Sequence, residues 1–254
     1  MKAKVMAYLA AGAVFCGIRW ADLALWTDPE TGLVTAGAVW QRYLVLAVFA
    51  AAALLVGRLA GGSPAPLNRR QPLAALPALA GAVLCLWQGI AGLLGAAGVA
   101  AAVESVLALA CGAWLGYLGV GWLAAPRKNP PPAWFGVAGS LLFVWEILLS
   151  FMTNGSSWHR TVPTSAVWQQ LAALLFLAAL LRALCLPDAA DGRALGSYGL
   201  LAFCLCLCWQ LPRCVLWTAG PGDWALAAIG LLGGVCAVLC AAPSPHSKGS
   251  HAAG

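Results

Sequence analysis

Residues 73–95 read LAALPALAGAVLCLWQGIAGLLG, a run with no charged side chain and Gln88 as its only amide. A helix rises about 1.5 Å per residue, so such a run crosses the roughly 30 Å of hydrocarbon in a bilayer. Comparable runs lie near residues 5–26, 39–60, 99–124, 133–153, 165–186, 194–217 and 223–242. The pattern predicts an all-α integral membrane protein of eight transmembrane helices. Composition agrees: 62% of the 254 residues are hydrophobic and 9% charged, mean hydropathy is +0.86, and soluble domains carry about 25% charge. A soluble globular class is excluded.

Short segments with turn chemistry separate the runs: Asp28-Pro29-Glu30-Thr31-Gly32, Ser63-Pro64-Ala65-Pro66, Asn129-Pro130-Pro131-Pro132, Asn154-Gly155-Ser156-Ser157 and Gly220-Pro221-Gly222-Asp223. Lys2 and Lys4 before an apolar stretch imitate a signal peptide, but no small-x-small cleavage site leads into a soluble domain, so a first membrane helix is expected. Lys and Arg fall at alternate ends. Lys2, Lys4, Arg58, Arg69, Arg70, Arg127, Lys128, Arg182, Arg193 and Lys248 share one side; the loops of the other hold only Arg160, with Asp28, Glu30 and Asp223. Positive residues stay cytoplasmic. Both termini are therefore expected in the cytoplasm of a cell-membrane protein, and the net charge of +6 implies no nucleic-acid partner.

Within residues 73–95, Trp87-Gln88 belongs to a repeated word, with Trp40-Gln41, Trp168-Gln169 and Trp209-Gln210. Four of the six Gln follow a Trp. Ala38-Val39-Trp40-Gln41-Arg42 matches Ala166-Val167-Trp168-Gln169-Gln170 across 168 − 40 = 128 residues, and Ala124-Ala125-Pro126 matches Ala241-Ala242-Pro243. This predicts two tandem four-helix halves, residues 1–126 and 127–242, with a disordered cytoplasmic tail over 243–254. An even number of crossings per half makes the repeat parallel. Arg19, Gln88, Glu146 and Gln210 each stand eight residues before a turn, at Thr27, Ala96, Asn154 and Thr218.

Gly89, Gly92, Gly95 and Gly98, Gly112 and Gly116, and Gly230 and Gly234 have the spacing of close helix packing in lipid. Pro212 predicts a kink beside Gln210 and Arg213. The Asp28-Pro29 pair predicts a helix cap with Pro in the first turn.

The residues that do not belong in lipid collect at one depth. Arg19, Asp22, Gln41, Arg42, Gln88, Glu104, Glu146, Gln169, Gln170, Gln210 and Arg213 all fall in the outer half of the membrane. Eight residues of helix is about 12 Å, and a lone charge there costs about 2.5–3.5 kcal/mol. Pairing is expected, locally between Arg19 and Asp22, and between Arg19 and Glu146 if the repeat axis brings the first and fifth helices together. Two readings stand side by side: a hydrated cavity for a small solute or lipid headgroup, or a charge-balanced seam that docks the halves. Trp26, Trp40, Trp158, Trp168, Trp217 and Trp224 suit an interfacial belt, and the deeper Trp87, Trp145 and Trp209 suit packing.

No catalytic residue, metal site or cofactor is expected. His159 stands alone beside Arg160, with His246 and His251 in the tail. The ten Cys all lie in apolar runs and read as small buried hydrophobes, and no Cys-x-x-Cys occurs. Three functions remain: a small-solute transporter or channel, a non-catalytic membrane subunit, sensor or assembly partner, and an enzyme on outer-leaflet lipid. The implied partners are the bilayer and a small solute or headgroup, with any protein partner left open.

Overall fold

A computed structural model describes residues 2–60, 62, 67, 69–95, 98–124, 132–153, 161–186 and 191–241. Its helices are α1 (Lys2–Leu25), α2 (Val39–Ala60), α3 (Pro72–Leu94), α4 (Val99–Leu123), α5 (Ala133–Thr153), α6 (Thr161–Cys185), α7 (Gly192–Ala202), α8 (Leu211–Leu216) and α9 (Pro221–Cys240). A π-helical segment, Phe203–Cys208, joins α7 to α8 in one span, Gly192–Leu216. Eight spans are thus long and apolar enough to cross a membrane, and the chain is an all-α, polytopic membrane protein. Large apolar side chains line the outside, among them Leu94, Val99, Trp134 and Met152. On a soluble surface these would form adhesive patches; in a bilayer they face lipid.

The interior uses small residues. α3 buries Ala74, Ala75, Ala78, Gly81, Ala82 and Cys85 against α4 and α9, and without a hydrophobic force between helices in lipid, close backbone approach supplies the attraction. Gly112 sits against Leu86 and the Ala82 carbonyl, Gly92 against Ser105, and Gly199 against Gly233. Of the expected glycine series, Gly98 meets nothing and Gly95 only the carbonyl of its own helix. All ten Cys are free thiols, eight of them buried.

The seventh span breaks where Pro212 predicts a disturbance, by widening rather than by a simple kink. Pro212 has no N–H for the Cys208 carbonyl, and just before it the Trp209 N–H reaches back five residues to the Cys204 carbonyl at 3.0 Å. The extra residue in that turn is a π-bulge.

The 26–38 connection corrects the helix-cap expectation for Asp28-Pro29. It is a small hairpin: Thr27 bridges Val34 in antiparallel fashion, and the Asp28 N–H donates to the Leu33 carbonyl at 2.9 Å. Gly32, at φ +67°, supplies the left-handed residue that closes it. The Asp28 carboxylate accepts from the Thr31 hydroxyl and from the Glu30 N–H, and these bonds hold its pKa below the ordinary aspartate value. That support is complete above the ordinary aspartate range and is lost as pH falls through the lowered pKa. The protection of the Glu30 amide, its exchange measured against the intrinsic rate at each pH, should therefore fall in acid, and in Asp28→Asn the acid step should vanish; an unchanged step in the variant would assign it to another group.

Helix neighbours differ between the two segments expected to be halves. α2 packs on α7 and α3 on α9, with no comparable pairing of α3 with α6 or α4 with α7 among the described residues. α1 lies against α2, the π segment, α8 and α9, whereas α5 lies against α4 and α6. The 125–131 connection with Arg127 and Lys128, Ser63 to Pro66, Asn154 to Arg160 with Trp158 and His159, and the tail 243–254 lie outside the described residues.

Candidate functional site

Helices joined by short connections reverse direction at each step, so the last turns of odd spans meet the first turns of even ones. That brings the polar residues to one end of the bundle, the end that carries the 26–38 hairpin. There the structure sorts them into three linked groups.

The first group lies between α1, α2 and the break in the seventh span. Arg19, 2% exposed, donates to one oxygen of Asp22 three residues along the same helix face. Arg42 donates from Nε to the other oxygen at 2.6 Å and from Nη2 to the Ala36 carbonyl at 3.0 Å. The Arg19 guanidinium stacks on Trp209, its carbon 3.9 Å from the ring centroid, a cation–π contact strengthened by loss of water. Two cations therefore share one carboxylate. These side chains, with Gln41, form the polar part of the lining of a cavity of about 350 Å³ whose other walls are largely apolar, with Phe15, Ile18, Val45, Trp26 and Trp209. Phe15 stacks on Phe49 at 4.3 Å and on Trp209 at 5.7 Å. Ile18 and Val45 are also exposed on the flank of the bundle, so the cavity opens sideways between α1 and α2 as well as at the hairpin end.

The second group ties the break itself. The Leu205 carbonyl is passed over where Trp209 reaches to Cys204, and Gln169 of α6 donates to it at 3.0 Å. The same Gln169 nitrogen donates to Gln210 Oε1 at 3.0 Å, and Gln210 donates to Asp223 Oδ1 at 2.7 Å. Asp223 also accepts from Arg213 at 3.2 Å and from the Gly220 N–H at 3.1 Å. Buried polar groups need such partners; the π-bulge is stable because an amide from another helix meets the carbonyl it releases.

The third group joins α3, α4 and α5. Gln88 donates to Glu104 at 3.4 Å and lies with Glu146, Gln170 and Gly222 around a void of about 10 Å³. A side chain at Gly222 would meet the Gln88 amide at 2.8 Å, so this glycine allows the first turn of α9 to approach α3.

Each expected site residue thus has a place. Arg19, Asp22 and Arg42 share one group; Gln169, Gln210 and Arg213 the second; Gln88, Glu104 and Glu146 the third. The expected meeting of Arg19 with Glu146 does not occur, because α1 and α5 do not pack and Asp22 already serves Arg19. Gln41 is exposed and Trp87, Trp40 and Trp168 face outward, while Trp209 is 6% exposed. The four Trp-Gln words therefore occupy unlike environments. Asp223, read from sequence as a loop charge, is the hub of the second group; its place two residues after Pro221 was the available signal for a first-turn acidic residue. Among the described residues no three His, Cys, Asp or Glu converge as metal ligands. No protein-family model, curated protein or solved structure matches the chain.

Proposed function

We propose that the protein is a carrier for a small solute or a lipid headgroup, whose binding cleft, between α1, α2 and the π-bulged seventh span, opens to the outer side of a cell membrane. The outer assignment rests on the Lys and Arg of the opposite end, among them Lys2, Lys4, Arg58, Arg69, Arg70, Arg182 and Arg193. One observation carries the carrier reading: Trp209, at the break of the seventh span, lines the same cavity as Arg19, Asp22 and Arg42. π-bulges inside helices occur frequently at functional sites, and this one stands beside intramembrane charged residues of the kind that mark solute pathways.

A second reading, a receptor or sensor subunit that holds its ligand without passing it, is favoured by the packing beyond the cavity. Phe15, which lines the cavity, stacks on Phe49 and Trp209, and farther along α2 meets α7 with Gly57 against the Ser197 backbone.

Cysteine labelling separates the two. Native thiols give little background, since eight are buried and the other two half-buried. Ala38→Cys, at the cavity mouth, should react with a charged thiosulfonate added outside whole cells. Ala53→Cys, one turn beyond Phe49, should react from the cytoplasmic face of inverted vesicles if the protein is a carrier, and from neither face if it is a receptor. An unreactive Ala38→Cys would remove both readings.

A further inference from the structure

The first polar group holds an imbalance that neither sequence nor packing resolves. Arg19 and Arg42 occupy both oxygens of Asp22, leaving one net positive charge beside an apolar cavity. The neighbouring carboxylate, Asp223, gives no relief, because Arg213 and Gln210 already donate to it. Uncompensated charge is costly at this depth in a membrane. Independently, Arg19 lines the cavity at 2% exposure, and its buried Nε–H has no acceptor among the described residues. A buried donor without an acceptor carries a penalty that a ligand oxygen removes.

Both observations ask for the same thing, an anion with several acceptor oxygens. The remaining walls ask for something else: Phe15, Ile18, Val45, Trp26 and Trp209 offer apolar surface, and exposed Ile18 and Val45 lead from the cavity to the lipid-facing flank. A phosphate satisfies guanidinium donors in a fork-like geometry, and an acyl chain fits a groove that continues into lipid. We propose that the ligand is a phosphate-bearing lipid of the outer leaflet, its phosphate held by Arg19 and Arg42 and its chain leaving between α1 and α2. This rests on the cleft being the ligand site and names the ligand class.

The test uses the full-length protein, stripped of lipid in detergent, with Trp fluorescence reporting through Trp26 and Trp209. Dioctanoyl phosphatidic acid should bind saturably, at least about tenfold tighter than dioctanoylglycerol, which has the tail without the phosphate. Inorganic phosphate, without the tail, should compete only weakly. Arg42→Gln should weaken phosphatidic acid binding by about tenfold or more, the loss of a charge-assisted bond, and Arg42→Lys should fall between. If Arg42 variants do not fold, Ile18→Trp leaves every charge in place, fills the apolar wall and should abolish lipid binding while sparing inorganic phosphate.

Equal binding of dioctanoylglycerol and phosphatidic acid would overturn the role of the phosphate. Inorganic phosphate as tight as the lipid would overturn the lipid source and assign the site to the free ion. A protein labelled at Ala38→Cys that binds neither phosphate compound keeps its cleft and loses this ligand; a protein neither labelled nor bound loses the cleft reading as well.

Discussion

Asp22→Asn is expected to destabilise the protein by about 3–5 kcal/mol, the usual cost of removing one partner from a buried ion pair. Asn keeps the shape and one acceptor oxygen, so the loss is electrostatic: Arg19 and Arg42 would face each other with no counter-charge. Neither can swing to water at low cost, because Arg19 is pinned on Trp209 and Arg42 is tied to Ala36. Removing one of the two cations should relieve the strain, so Asp22→Asn with Arg42→Gln should recover more than half of the loss. Arg213→Gln is the contrast. Its pair with Asp223 has side chains 27% and 26% exposed, and partly hydrated pairs are worth about 0–1 kcal/mol. Thermal unfolding in nanodiscs of fixed lipid measures all four proteins. Should Asp22→Asn lie within about 0.5 kcal/mol of the parent, below any cost of burying unpaired charge, both guanidiniums are hydrated and the cavity is not a low-dielectric site.

The eight spans are legible from sequence because uncharged length is a one-dimensional property, and the bilayer makes it decisive. The depth of the polar residues is legible for the same reason, since alternating spans put Arg19, Gln88, Glu146 and Gln210 at one end whatever the helices' neighbours. Partner choice is not legible. Arg19 and Glu146 stand at equivalent distances from their turns, yet which helices touch is set by where glycines and alanines allow close approach, and α1 packs on α2 and α8 instead of α5. The π-bulge is half legible: Pro212 marks the place, but the widened turn depends on Gln169 of another helix donating to Leu205. The 26–38 hairpin misleads because Asp-Pro is a good helix start locally, and only the bridge from Thr27 to Val34 overrides it.

Gly57 makes the other large prediction, and it links the packing to the site. A β-carbon there would come to 2.5 Å from the Ser197 backbone nitrogen and 2.8 Å from its hydroxyl oxygen. Backbone cannot rotate away as a side chain can, so α2 and α7 would have to separate, weakening the bond from the Ser197 hydroxyl to the Leu54 carbonyl at 3.2 Å. Gly57→Ala should cost about 1–3 kcal/mol, the range for overpacking a tight interface, and Gly57→Leu should fail to yield folded protein. Gly17→Ala is the control: it lies on exposed α1 surface with nothing within 4 Å, and the gain in helix propensity, up to about 1 kcal/mol, should leave it as stable as the parent or more so. Because α2 carries Arg42 and the span begun by α7 carries Trp209, the Gly57–Ser197 contact also sets the distance between two walls of the cavity. Gly57→Ala should therefore weaken phosphatidic acid binding although it touches no ligand group. Equal unfolding temperatures for Gly57→Ala and Gly17→Ala would show that α2 and α7 are held by something other than this approach.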